Sequence, residues 1–219
     1  MTRAVVFDLD GVVVDTEHVW DDVRARLTGE WGGTYTPEAQ RAMMGMSSTE
    51  WSRYMHDELG LPQAPDEINA EVVRRMLERY RHQLPLVPGA VEAVIRLHDA
   101  ELPLAVASSS NRPLIEAVLE TSGLRRHFAV TVSSEEVARG KPAPDVYLEA
   151  ARRLGIAAGR CAAVEDSANG IRAAHAAGMR VIAYPNAHYP PPPEALALAD
   201  VTISSLHDLT LEAVSGRDG

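Results

Sequence analysis

The strand-like segments of this 219-residue chain are distributed unevenly. One short apolar run, residues 4–7, opens the chain and predicts a buried β-strand. Residues 16–84 then show only the spacing of apolar residues that is typical of amphipathic helices, and we expect about four of them. From Pro88 onward, predicted helices and strands alternate. Such alternation is typical of a parallel sheet that helices cover on both faces.

The pattern therefore predicts an α/β fold, with a doubly wound, Rossmann-like parallel sheet and an inserted all-helical cap domain. We expect residues 1–15 and 85–219 to form the α/β core and residues 16–84 to form the cap. The later strands are predicted at residues 104–107, 129–132, 162–164, 181–184 and 201–203. The proline run at residues 190–193 predicts an extended surface loop, because consecutive prolines are stiff.

Composition excludes several classes of protein. The formal net charge is −10, so nucleic acid is not an expected partner. Cys161 is the only cysteine, so no disulfide can form within the chain, which suits a reducing cytosol. No apolar run approaches the ~20 residues of a membrane span, and the first strand leaves no room for a signal peptide. We therefore expect a cytoplasmic protein, and a monomer because no large apolar stripe is left over.

Two carboxylates follow the first strand directly, in the order Asp8, Leu9, Asp10, Gly11. Ligands bind beyond the carboxyl ends of parallel strands, so Asp8 and Asp10 lie where a site is expected. Two anions held close together require a counter-charge, and Mg2+ with oxygen ligands would supply it. The same Asp-x-Asp-Gly motif also occurs in ordinary turns. A calcium loop is excluded because Gly11 follows Asp10 at once and apolar residues continue.

Other polar residues follow three later strands of the predicted sheet. They are Ser108, Ser109, Ser110 and Asn111, then Lys141 between a glycine and a proline, then Glu165 and Asp166. The hydroxyl run could bind an anion or simply cap a helix. A lysine alone is most often a solvated surface charge, and carboxylates at a strand end can cap the next helix. Each signal is weak by itself.

Together and in this order, the motifs resemble those of the haloacid dehalogenase superfamily of phosphohydrolases. Within it the chain looks most like the subgroup of β-phosphoglucomutase and hexose or hexitol phosphate phosphatases, which carry a helical cap. The motifs that carry the resemblance are Asp8-Leu9-Asp10-Gly11, Ser108 after Val106-Ala107, Lys141-Pro142, and Glu165-Asp166-Ser167 with Asn169-Gly170. The resemblance covers nearly the whole chain.

The resemblance implies a Mg2+-dependent phosphatase that acts on a small phosphorylated metabolite, such as a sugar or polyol phosphate. Asp8 would be the nucleophile that forms an aspartyl-phosphate, and Asp10 would be the general acid and base. Asp8, the backbone carbonyl of Asp10, and Asp166 would hold Mg2+. The residues that would bind the phosphoryl group are Ser108, Ser109 and Lys141. Candidates for contacting the substrate or supporting these groups are Glu17, Gly45, Ser110, Asn111 and Glu165.

Two alternatives remain open at this stage. A phosphomutase would return the phosphoryl group to its substrate. Mutases of this subgroup carry an arginine where this chain has Ser48 and a histidine where it has Trp20, so the sequence departs from the mutase pattern. A phospho-aspartate signalling domain has a similar sheet and acidic cluster, but a general base beside the acyl phosphate would shorten its lifetime. We expect Trp20, Trp31 and Trp51 to pack within the cap.

Overall fold

The computed structural model of the protein describes residues 2–186 and 189–216. Its centre is a sheet of six parallel strands in the order β3-β2-β1-β4-β5-β6. The strands are β1 Ala4–Phe7, β2 Leu104–Ser108, β3 Val130–Ser133, β4 Cys161–Glu165, β5 Arg180–Ala183 and β6 Val201–Thr202. The predicted doubly wound fold is confirmed, and each predicted strand is present within one residue of its expected ends.

Helices cover both faces of this sheet, which explains why its strands are continuously apolar. In β1, Val5 and Phe7 belong to one buried hydrophobic cluster, while Ala4 and Val6 belong to the other. The helices of the sheet region are α5 Ala90–Asp99, α6 Arg112–Thr121, α7 Asp145–Leu154, α8 Ala168–Ala176, α9 Pro193–Leu196 and α10 Leu211–Ser215. Short 3-10 helices lie at Arg125–His127, Ser134–Glu136, Ala158–Arg160 and Leu206–Asp208.

Four helices lie between β1 and β2, as the periodicity predicts. They are α1 Glu17–Glu30, α2 Pro37–Met43, α3 Ser48–Asp57 and α4 Pro65–His82. Local signals fix their starts: Thr36 accepts a hydrogen bond from the Ala39 amide, and Glu50 accepts one from the Ser47 amide at 2.8 Å. The apolar stripe of α4 is buried, and its residues are Ile68, Val72, Met76 and Tyr80. We call α1–α4 the cap.

The two chain segments that connect the cap to the sheet region run side by side. Val14 pairs with Leu86 in an antiparallel bridge, and the Asp15 amide donates to the Pro85 carbonyl at 2.7 Å. The predicted division at residues 15/16 and 84/85 falls in this double connection and stays a prediction. The predicted core also includes residues 1, 187–188 and 217–219, which lie outside the described residues.

The proline run differs from its predicted form. Residues 190–192 have no regular structure, but Pro193 begins the short helix α9 instead of continuing an extended loop. Proline is compatible with the first turn of a helix, because the amide it lacks would have no partner there. Among the residues that the structure describes, no helix is both long enough and apolar enough to cross a membrane.

Candidate active site

The carboxyl ends of the three central strands place the predicted residues at one edge of the sheet. Phe7 of β1 lies in register with Val106 of β2 and Val164 of β4. Because the strands are parallel, Asp8 and Glu165 emerge side by side. The order of strands alone thus brings together residues that are far apart in the sequence.

A buried ion-pair triad lies at the centre of this edge. The Lys141 Nζ atom donates to Asp8 Oδ1 and to Glu165 Oε1, both at 2.6 Å, and all three side chains are at least nine-tenths buried. Burial lowers the pKa of Lys141, but the two carboxylates outweigh it and raise the pKa above its ordinary value. Lys141 is therefore a fixed positive charge directly beside the predicted nucleophile.

Glu165 holds Lys141 in place through a saturated set of hydrogen bonds. Besides the ammonium group, it accepts from Tyr147 Oη at 2.7 Å, and from the backbone amides of Asp166 and Ser167 at 3.0 and 3.1 Å. Its side chain has no exposed surface. These contacts hold the Glu165 carboxylate in one position beside the Lys141 ammonium group.

Two glycines leave room for the carboxylates. A Cβ atom on Gly11 would lie 2.0 Å from Asp166 Oδ2, and one on Gly170 would lie 1.7 Å from Glu165 Oε1. Gly11 also has a φ of +81°, in the left-handed region that favours glycine. The glycines in the first and last motifs are therefore required by close approach of an acidic side chain.

The acidic side chains form a group that suits a divalent cation. Carboxylate oxygens of Asp8, Glu165 and Asp166 all lie within 4.8 Å of one another, and the three residues are buried. Burial raises the pKa of Asp8 to about 8, although Lys141 opposes the shift, and burial with the Glu165 charge raises that of Asp166 well above its usual range. A cation would relieve this repulsion between buried carboxylates, and hard oxygen donors are what Mg2+ prefers. Asp8 and Asp166, two of the three predicted ligands, therefore fit the predicted metal.

Asp10, the predicted acid and base, is held by three donors. Thr16 Oγ1 donates to Asp10 Oδ1, Ser110 Oγ donates to Asp10 Oδ2 at 2.6 Å, and the Trp20 indole Nε1 donates to Oδ1 at 3.2 Å. Ser110 belongs to the sheet region, whereas Trp20 belongs to the cap. The Asp10 carboxylate is therefore oriented jointly by both parts of the protein.

The serines after β2 take different positions. Ser108 is fully buried, its Oγ accepts from the Ser110 amide at 3.0 Å, and it does not line the cavity described next, so its contact with a phosphoryl group stays a prediction. Ser109 Oγ is buried and has no hydrogen-bond partner in the described part of the chain. Ser109 and Ser110 line the cavity described next. A phosphoryl oxygen would satisfy the orphaned Ser109 hydroxyl.

A cavity of about 430 Å³ opens above the triad, between the sheet edge and the cap. Asp8, Asp10, Lys141 and Asp166 line its floor. From the cap, its lining residues are Glu17, Trp20, Arg24, Arg41, Met43, Met44, Gly45, Met46 and Trp51. The remainder comes from Ser109, Ser110 and the segments 167–169 and 189–192. The cavity is large enough for a small metabolite, and both its floor and its cap side carry charged groups.

Of the other residues predicted to contact the substrate or to support the site, some line the cavity and one does not. Glu17 lines the cavity, and burial together with the Asp10 charge raises its pKa to about 7. Gly45 also lines it. Asn111 does not: its Nδ2 donates to Asn69 Oδ1 of the cap at 3.1 Å and to Glu135 Oε1 at 2.7 Å. Asn111 therefore joins the sheet region to the cap.

Several cavity residues are missed by the sequence reasoning. The three tryptophans are predicted to pack within the cap; Trp20 and Trp51 do so, with ring centroids 5.9 Å apart, yet both also face the cavity. Arg24 lies between them, four residues after Trp20 on α1. That spacing places both on one helix face, and it was the only sequence signal available. Tyr189 also lines the cavity and accepts from Gln40 Nε2 of the cap at 2.7 Å.

This geometry agrees with the comparison to protein families. Residues 2–178 match the model of the haloacid dehalogenase-like hydrolases. The chain belongs to this family, which confirms the resemblance of its motifs and the prediction of a hydrolase.

Individual relatives extend the comparison. The chain is 33% identical over 218 residues to hexitol phosphatase B of Escherichia coli, covering 97% of this chain and 96% of that protein. It is 32% identical over 213 residues to the bifunctional riboflavin kinase/FMN phosphatase of Arabidopsis thaliana, covering 97% of this chain but only 55% of that longer protein. Among solved structures, a CbbY mutant from Rhodobacter sphaeroides in complex with xylulose-1,5-bisphosphate has a TM-score of 0.87 at 28% identity, covering 98% of this chain and all of that one.

Proposed function

We propose that this protein is a Mg2+-dependent phosphatase that hydrolyses a small phosphorylated metabolite, a sugar or polyol phosphate, through an aspartyl-phosphate on Asp8. The observation that carries the proposal is the buried Lys141, held at 2.6 Å from Asp8 on the floor of the cavity between the sheet edge and the cap. Family membership supports a hydrolase, and relatives named as phosphatases support a phosphoric monoester hydrolase acting on small phosphorylated metabolites.

In the first step, Asp8 attacks phosphorus. Its Oδ1 atom is bound by Lys141, which leaves Oδ2 as the attacking oxygen. The bond from phosphorus to the substrate oxygen breaks as the new bond forms, and the leaving oxygen takes a proton from Asp10. Lys141 and Ser109, which line the cavity, bind the phosphoryl oxygens while negative charge redistributes among them, and the Ser108 hydroxyl is the further predicted donor.

In the second step, water hydrolyses the aspartyl-phosphate. Asp10, now ionised, accepts a proton from the water that attacks phosphorus, and the bond to Asp8 breaks to release inorganic phosphate. The donors Thr16, Ser110 and Trp20 keep the Asp10 carboxylate directed for both proton transfers.

The residues that would hold Mg2+ are Asp8, the backbone carbonyl of Asp10, and Asp166. When bound there, the cation would offset the negative charge that otherwise opposes the approach of a phosphate to Asp8. Glu165 is turned to Lys141, Tyr147 and nearby amides, so we assign it to positioning.

The cap supplies water exclusion and substrate recognition. Contacts of the kind Gln40–Tyr189 and Asn69–Asn111 join it to the sheet region over the cavity. At the position of the mutase arginine, Ser48 is buried and its Oγ lies 3.5 Å from Glu135 Oε1. This position therefore offers no cation for a second phosphate, which supports hydrolysis over a mutase reaction.

The test is a phosphate-release screen over sugar and polyol phosphates with Mg2+ present. We expect release by the wild type and none by Asp8→Asn, with circular dichroism showing that the variant is still folded at the assay temperature. Full activity of Asp8→Asn would contradict the assignment of the nucleophile. Isomerisation of β-glucose 1-phosphate that outpaces phosphate release, with a bisphosphate primer present, would instead favour a mutase. A monomeric state and a cytoplasmic location stay predictions.

A further inference from the structure

Arg24 is a buried cation that the proposed chemistry does not use. It lies on α1, is only 8% exposed and lines the cavity. Its guanidinium carbon lies 4.6 Å from the Trp20 ring centroid and 4.8 Å from that of Trp51. Its Nε atom is buried without a hydrogen-bond partner in the described part of the chain. Within residues 2–186 and 189–216, the ion pairs do not include Arg24, and the nearby Asp22 of α1 pairs instead with Arg26 and Arg79.

The Nε–H group of Arg24 is costly in this state, because it has lost water without gaining a hydrogen-bond partner. The contacts with Trp20 and Trp51 compensate for part of that cost and fix the plane of the group. They provide no acceptor for its N–H donors. The cavity is where an acceptor can enter, so the arrangement points to a ligand with oxygen atoms at the cap end.

The charges around Arg24 indicate whether these ligand oxygens belong to a phosphate or to hydroxyl groups. The carboxylates of Glu17, Asp10 and Asp21 all act on Arg24 electrostatically, and Glu17 lines the same cavity. A second phosphate placed here would meet these negative groups. Arg41, the other cavity arginine of the cap, differs from Arg24: its side chain is largely exposed, and it pairs with Glu38 at 2.6 Å. Hydroxyl groups suit the site better, because they accept from a guanidinium and donate to a carboxylate.

We propose that Arg24 is a specificity-determining residue, which binds hydroxyl oxygens of a neutral polyhydroxy chain in a subsite shared with Glu17. The protein therefore selects monophosphates with such a chain over substrates that carry a second phosphate. This inference rests on the proposed function, since it concerns the far end of the same substrate.

The experiment compares Arg24→Gln with Arg26→Gln on three probes: sorbitol 6-phosphate, sorbitol 1,6-bisphosphate and methyl phosphate, which lacks a chain. Arg26 is on the same helix, but its side chain is 66% exposed and paired with Asp22. We expect Arg24→Gln to lower kcat/KM for sorbitol 6-phosphate at least tenfold more than for methyl phosphate, mainly through KM. Arg26→Gln should leave that ratio unchanged. Equal losses on both probes would reduce Arg24 to a packing role and overturn the proposal.

The remaining outcomes are also decisive. A wild type that prefers the bisphosphate, and loses this preference in Arg24→Gln, would show an anion subsite and overturn the choice of a neutral chain. Arg24→Lys keeps the positive charge but lacks the planar guanidinium, so it should show an intermediate loss of kcat/KM for sorbitol 6-phosphate. This variant provides the test if Arg24→Gln fails to fold.

A binding measurement separates this inference from the proposed function. Calorimetric titration of Asp8→Asn with sorbitol 6-phosphate, with and without Arg24→Gln, should show at least tenfold weaker binding when Arg24 is replaced. Unchanged binding would refute the role of Arg24. Absence of phosphate release by the wild type from every probe would refute the phosphatase, whichever result the titration gives.

Discussion

Replacing Gly170 by alanine tests whether the position of Glu165 controls the site. Gly170 lies in the first turn of α8, and a Cβ atom there would lie 1.7, 1.8 and 2.1 Å from Glu165 Oε1, Cδ and Oε2. Side-chain atoms do not approach so closely, so the carboxylate has to move by more than about 1 Å. The movement would pull Glu165 from Lys141 and Tyr147, both of which it contacts within 2.7 Å.

The magnitude follows from two opposing effects. Alanine in a helix is normally better than glycine by roughly 0.5–1 kcal/mol. Disturbing a fully buried, hydrogen-bonded ion pair costs about 3–5 kcal/mol. We therefore expect a net loss of about 2–4 kcal/mol in the free energy of unfolding. For a chain of this size, each 1 kcal/mol shifts Tm by roughly 2–4 °C, so Tm should fall by roughly 5–15 °C.

Activity should fall as well, because Lys141 loses the group that orients it toward Asp8. A misplacement of about 1 Å in a catalytic constellation can cost on the order of 100-fold in rate. The assays are thermal unfolding by circular dichroism and phosphate release under saturating Mg2+. Gly159→Ala is the matched control, since its Cβ would lie no closer than 3.7 Å to another atom. A Gly170→Ala protein that keeps both wild-type Tm and wild-type activity would refute the reasoning.

Three further predictions concern the carboxylates. The pKa of Glu17 is raised to about 7, so its protonated form stabilises the fold fully below pH 4.5 and this contribution is lost as pH rises through 7. Glu17→Gln should therefore match the wild type in unfolding free energy at pH 4 and exceed it by up to about 3 kcal/mol at pH 8 in chemical denaturation; a constant difference would contradict this. Asp10→Asn should lower phosphate release at least 100-fold, because it removes the proton donor and acceptor, and stopped-flow assays with Arg26→Gln, a change at an exposed side chain, as control should show the difference. EDTA should abolish release and Mg2+ should restore it; activity that persists after exhaustive chelation would exclude the proposed metal.

Much of the fold could be predicted because the local spacing of apolar residues shows which positions are buried. In β1, all four residues are apolar, since one face of the strand packs in each hydrophobic cluster. In α4, apolar residues recur with helical spacing because a single stripe is buried. The start of α3 could also be predicted, because Ser47 and Glu50 are three residues apart and form their capping contact within one turn. In each case, the determining contacts are local or depend only on which side faces the core.

The sequence by itself therefore determined the sheet, the four inserted helices, and the strand ends from which Asp8 and Asp166 emerge. Only the tertiary structure decided that Lys141 pairs with a carboxylate 133 positions away, that Asn111 contacts the cap instead of the cavity, and that Arg24 faces the cavity between two tryptophans. The physical reason is that periodicity specifies how deeply a residue is buried. Which partner it meets there depends on how distant segments pack, and that information is not contained in any one segment.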